Sequence, residues 1–174
     1  MYYGPILIVG QVGFDIYTTT VIMNFSDLLT YLPLILIIKR LKRKVTCIIL
    51  FGIATLIAGI LIFIVAPTGC NTICTEIVIQ LILIFIFRFC ISMEYAIIGI
   101  YLNELLPTRA RAMGGGIINV LGTTASTVSP IMMGALIRNK INPFILFAIM
   151  GIFGTCSYTF LKETYQQVIP DEIE

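Results

Sequence analysis

Five long apolar runs, parted by short polar breaks, organise the chain: Val21–Ile38, Val45–Ala66, Ile77–Leu102, Met113–Ile137 and Pro143–Leu161. A helix needs roughly 20 apolar residues to cross the hydrocarbon core of a bilayer, and each run reaches or approaches that length. Residues 1–14 are apolar as well, but short and Gly-rich, and predict only a partial span. No run alternates apolar and polar positions with the period of two that barrel strands require. Helices satisfy their backbone within one segment, so the pattern predicts an all-α, polytopic membrane helix bundle. It would have about five full transmembrane helices plus a truncated N-terminal one, in a single transmembrane domain over residues 1–174.

Composition strengthens the membrane assignment and removes other classes. Of the 174 residues, 59% are hydrophobic and 11% charged, against roughly 25% charged in an average soluble domain. The mean hydropathy is +1.04, and so apolar a chain cannot cover itself with polar surface in water. A net charge of +2 gives no electrostatic reason to expect nucleic acid. The chain has no histidine, which removes the commonest general base and metal ligand. No long loop offers room for a soluble catalytic domain, and no nucleophile–base pair stands out, so neither an enzyme, a cofactor nor a bound metal is expected. Of the five Cys, only Cys70 and Cys74 are close in sequence. That pair reads as two small loop residues, with a local disulfide or metal as the alternative. Most of the others fall in apolar runs, where Cys acts as a small hydrophobe.

The charged breaks set an orientation. Lys39, Arg40, Lys42, Arg43 and Lys44 form one cluster; Arg109 and Arg111 follow two spans later, and Lys162 two spans later again. These places fall on one side, while Arg138 and Lys140 fall on the other. Eight basic residues against two predict a cytoplasmic Lys39–Lys44 loop and a cytoplasmic C-terminus. The stretch NELLPTRAR, Asn103–Arg111, places an acid, a Pro and two Args between two apolar runs, and is expected to be a short loop.

Charges inside spans normally face protein or a water-filled cavity. Asp27 shares a face with Asn24 and Tyr31, at i, i+3 and i+7. Arg88 shares one with Ser92 and Tyr95, and Glu94 lies off that face. Such residues could line a polar path, or Arg88 could pair with an acid on another helix; for Asp27 both alternatives stay open. In the fourth run, Gly122, Ser126, Pro130 and Gly134 recur every four residues, a stripe that lets a neighbouring helix approach closely. Asn119, Thr123 and Thr127 run beside it and could line a polar cavity, or their hydroxyls could simply bond the helix's own carbonyls. Pro130 is expected to weaken the helix locally, as in the broken helices of transporters.

Taken together, these segments resemble the C-terminal half of a major facilitator superfamily transporter, and most closely its organic cation/anion branch. Asn103–Arg111 is similar to that branch's acid-Leu-Tyr-Pro-Thr-x-x-Arg loop: Glu104, Pro107, Thr108 and Arg111 match, and Leu106 replaces the Tyr. The end of the chain from Leu161 is similar to Pro-Glu-Thr-x-Gly-x-x-Leu-Pro-x-Thr-Ile. There Glu163, Thr164, Pro170 and Ile173 match, and Lys162 replaces the first Pro. The stretch IIKRLKRK resembles Asp-Arg-x-Gly-Arg-Arg through Arg40 and Arg43, with Lys39 in place of the acid and Lys42 in place of the Gly. The opening GQVGFDIY looks like the segment just after the family's seventh helix. Sugar transporters share much of the loop pattern and are the second resemblance.

The resemblance implies half of the superfamily fold, a C-terminal six-helix bundle with the N-terminal half absent. It implies a cytoplasmic charge network, carried here by Arg43, Glu104, Arg111 and Glu163, that holds one gate state. It also implies a substrate-binding face of Asp27, Tyr31, Asn119, Thr123 and Thr127, with Arg88 and Glu94 as further intramembrane polar groups. In the family, an Asp in cation members or an Arg in anion members stands where Thr123 is, and a Lys typical of anion members where Tyr31 is. Asp27 keeps the family's acid and mildly favours a cation. The expected function is transport of a small organic solute, an organic ion or a sugar-like molecule, by alternating access, as part of a full transporter. The alternative is a non-transporting membrane subunit or remnant that packs against a partner. Expected partners are the lipid bilayer, the solute, and a missing N-terminal half or a second transporter half. The expected location is the plasma membrane rather than an organelle.

Overall fold

A computed structural model describes residues 16–40, 42–64, 75–105, 108–139 and 141–160. Five helices account for nearly all of them: α1 (Ile16–Arg40), α2 (Arg43–Phe63), α3 (Thr75–Leu105), α4 (Thr108–Arg138) and α5 (Phe144–Phe160). No strand occurs among the described residues. Each helix coincides with one of the five apolar runs, as expected from backbone that must bond to itself in lipid. The partial span expected over residues 1–14 lies outside the described residues. Among the described residues, three segments are long and apolar enough to cross a membrane: Lys44–Phe63, Val78–Tyr101 and Arg111–Arg138. The apolar α5 has 17 residues, about 26 Å of rise.

One expectation is corrected here. The stretch Asn103–Arg111 is mostly helix rather than loop: α3 continues through Leu105 and α4 starts at Thr108. Charged and polar residues near the end of a span mark the interface and do not require the backbone to unwind. Helix α4 runs without interruption through Pro130, as α1 does through Pro33.

Helices α3 and α2 form the centre. α3 packs against α1 on one side and α2 on the other, and α2 packs in turn against α5. The main core joins Ala54, Ala58 and Leu61 of α2 to Phe87 and Ile91 of α3 and Phe147 of α5. A smaller cluster near one end joins Leu34, Cys47 and Ile97. Small residues let α5 lie close on α2: Gly154 faces the Phe51 ring and Gly151 faces Thr55, where any Cβ would collide. The α2–α5 pair is fastened at both ends. Asn142 caps α5 by accepting from the Phe144 N–H (3.1 Å) and donates to the Ile62 carbonyl at the end of α2 (3.3 Å). At the other end, the Lys44 ammonium donates to the Thr159 carbonyl (2.7 Å), a favourable place for a cation near a helix C-terminus.

Helix α4 is different. Only 6% of its apolar span is buried, against 50% in α3, and its substantial helix contact is with α3. Near its C-terminal end, Met133 enters the main core.

Candidate functional site

A charge cluster joins α1 and α3. The Arg88 guanidinium donates through Nε to Asp27 Oδ1 (3.1 Å) and through Nη2 to Asp27 Oδ2 (2.7 Å). The fork-to-fork geometry is the strongest that Arg and a carboxylate form. Ser92, one turn beyond Arg88, donates its hydroxyl to Asp27 Oδ1. Arg88 is 1% exposed and Asp27 23%, so the guanidinium is enclosed while the carboxylate edges toward the surface. Of the two alternatives for Arg88, the structure contains the pair with an acid on another helix. Asp27 is that acid. One face of α3 supplies Arg88 and Ser92 because they lie four residues apart; Tyr95, seven from Arg88, is exposed instead.

The consequence for Asp27 is chemical. Its carboxylate faces a cation within the protein, and both oxygens accept from Arg88 or Ser92. Tyr31, one turn further along α1, is 62% exposed.

The residues expected on the fourth span sit on the outside of α4. Asn119, Thr123 and Thr127 are all exposed. The hydroxyls bond their own helix: Thr123 donates to the Asn119 and Val120 carbonyls, Thr127 to Thr123, and Ser126 also to Thr123. Their protons are therefore committed to backbone, and what they present outward is oxygen lone pairs. The accompanying stripe makes no close helix contact here. A Cβ built on Gly122 or Gly134 meets nothing within 4 Å. The α1 residues Asp27 and Tyr31 and the α4 residues lie on helices that do not pack substantially on each other.

The proposed gate charges fall largely outside the description. Arg43 opens α2 and Glu104 lies near the end of α3, but their side chains are outside the described residues, as is all of Glu163. Arg111 is half-buried on the first turns of α4.

Glu94 is buried, 3% exposed, on the side of α3 away from the Asp27 pair. The Tyr158 hydroxyl of α5 hydrogen-bonds it, and the Tyr158 ring rests against Phe51 at 5.5 Å between centroids. Sequence alone singled out Glu94 as off the Arg88 face but gave no sign of Tyr158. Of the crevices among the described residues, one is lined by Thr19, Met23 and Phe85 among others, and one by Lys44, Cys47, Tyr101 and Tyr158. Neither encloses room for a water molecule, against the roughly 300–1,000 Å³ of small-molecule pockets. Cys47 and Cys90 are buried thiols and Cys156 is exposed; Cys70 and Cys74 lie outside the described residues. Among the described residues, no cluster of three metal-ligating side chains forms.

The chain is similar to known transporters over nearly its whole length. It is 30% identical over 178 residues to organic anion transporter 3 of Oryctolagus cuniculus, covering 99% of this chain and 30% of that protein. Against organic anion transporter 3 of Homo sapiens the identity is 29%, with the same coverage. Against solute carrier family 22 member 6 of Mus musculus it is 25%, covering 99% of this chain and 30% of that protein. No protein-family model matches the chain. The resemblance to the organic cation/anion branch of the major facilitator superfamily, read from the motifs, is thus borne out, as is the all-α, multi-pass membrane fold. The chain spans about 30% of the length of these relatives.

Proposed function

We propose that the chain forms one helix bundle of a transporter that moves a small organic anion across a membrane by alternating access. The observation that carries this is the similarity to organic anion transporters over 99% of the chain. The charge cluster supports the sign of the solute: Asp27 is neutralised by Arg88 and Ser92, which removes the acid that favoured a cation. Alternating access needs two bundles moving about a site near the midplane. The exposed row Asn119, Thr123 and Thr127 on the loosely packed α4 is the surface that would face the second bundle and line the solute path, with Tyr31. That second bundle is an N-terminal half or another transporter half. In this reading Arg43, Glu104, Arg111 and Glu163 hold the cytoplasmic gate, the C-terminus is cytoplasmic, and the membrane is the plasma membrane.

The test is uptake into proteoliposomes of labelled small organic anions, cations and sugars, with the chain alone and joined to its upstream half. Anion uptake by the joined protein and none by the chain alone is expected. A preference for cations or sugars, or uptake by the chain alone, contradicts the proposal.

A second reading is a non-transporting membrane subunit. Lys39 in place of the gate motif's acid favours it, and the open space over Gly122 and Gly134 leaves room for a partner helix. Under this reading, Gly122→Leu with Gly134→Leu releases a co-purifying membrane partner; retained association contradicts it.

A further inference from the structure

Glu94 takes no part in the charge cluster or the exposed α4 row, yet it is among the most enclosed polar side chains of the bundle. One of its carboxyl oxygens, Oε1, is buried and meets no hydrogen-bond donor. Tyr158, from α5, hydrogen-bonds the carboxyl. An ionised carboxylate offers about four acceptor sites, and charge buried away from a cation and from donors is costly. A neutral carboxylic acid is far less costly to enclose, and it brings a donor of its own.

Among the described residues, the surrounding groups supply no counter-charge. From α2, the Lys44 ammonium is turned onto the Thr159 carbonyl, and Cys47 is a buried thiol. From α3 itself come Tyr101, which lines the same crevice as Tyr158, and the Cys90 thiol one turn away. α5 contributes Tyr158. From α1, the neighbouring cluster receives only apolar Leu34 and Ile37, and Asp27 is held by Arg88.

We propose that Glu94 is a proton-binding site on α3, closed by Tyr158, at which proton occupancy is linked to how closely the Tyr158 end of α5 packs on the bundle. The ligand is a proton, and the step is simple protonation: Glu94 carboxylate takes H⁺ from water and becomes the neutral acid while α5 is packed. Loosening α5 admits water, which solvates the carboxylate and accepts the proton. The coupling is reciprocal, so raising the pH favours the loosened arrangement and lowering it favours the packed one. The proposal stands whether or not the chain transports an anion.

The experiment is infrared difference spectroscopy on the full chain in lipid nanodiscs across a pH titration. It is run alongside hydrogen–deuterium exchange of residues 156–160 at each pH. A protonated-carboxyl carbonyl band is expected to persist after exposed carboxyls have ionised. It shifts when the chain is made with carbon-13 glutamate, is lost in Glu94→Gln, and changes frequency in Tyr158→Phe. Protection of the end of α5, taken relative to Glu94→Gln at the same pH, is expected to fall as the band is lost. Absence of the band at every pH overturns the site. A band whose loss leaves protection unchanged overturns the linkage. The isotope shift needs no substitution, so the site remains testable if Glu94→Gln fails to fold.

Discussion

Arg88 and Asp27, 61 positions apart in the chain, close a two-pronged ion pair between α3 and α1, with Nη2 to Oδ2 at 2.7 Å and Nε to Oδ1 at 3.1 Å. This pair ties α1 to the rest of the bundle and decides the chemistry of the only acid on that helix.

Removing one partner leaves the other charge enclosed and uncompensated. Asp27→Asn is expected to destabilise the chain by about 3 kcal/mol, the low end of the range for broken buried pairs because Asp27 keeps some exposure. Replacing both, as Asp27→Leu with Arg88→Leu, recovers most of that loss. Thermal unfolding in nanodiscs measures both, and equal losses in single and double variants refute the pairing as the cause.

The glycines of α5 and α4 are expected to respond oppositely to a methyl group. Gly154→Ala places a Cβ 2.6 Å from the Phe51 ring, and such overpacking costs about 1–3 kcal/mol. Gly122→Ala meets open space and gains helix propensity, with no loss of stability in the isolated chain. A denaturation series on the two variants checks the contrast.

Asn142 joins the start of α5 to the end of α2. Asn142→Ala loses the cap on the Phe144 N–H and the bond to Ile62, at a cost of about 1 kcal/mol. Hydrogen exchange is expected to rise at residues 144–147 and stay level at the far end of α5.

The sign of the solute can be probed on the exposed α4 row. A negative charge at Thr123→Asp repels an organic anion, and uptake by the joined transporter is expected to fall at least tenfold, about 1.4 kcal/mol. Thr123→Arg leaves anion uptake intact or raises it. Unchanged uptake in Thr123→Asp removes Thr123 from the solute path.

The helices were legible because hydropathy dominates in lipid: every one of the five apolar runs became a helix with ends within a few residues of those expected. The ends differ where charge predicts a loop: Asn103 and Arg111 both lie in helices, because charge near the end of a span marks the interface rather than the end of the helical backbone. What one sequence could not show was rotation of each helix about its axis. Asp27 and Arg88 each stand out in the sequence as charges within apolar runs, but their meeting depends on how α1 and α3 turn toward one another. For the same reason the small-residue stripe of α4 drew attention, while the close glycine contacts lie on α5, where Gly151 and Gly154 have no four-residue repeat to announce them. The hydroxyls of α4 leave two alternatives open in the sequence, because whether a proton goes to a cavity or to a backbone carbonyl depends on the side-chain rotamer.

The fastening of α5 to α2 has a mechanical consequence. A link at Asn142, a link at Lys44 and a glycine seam between them hold the two rods at three points along their length, which opposes sliding and rolling between them. By contrast α4, with only 6% of its apolar span buried, is gripped along far less of its surface.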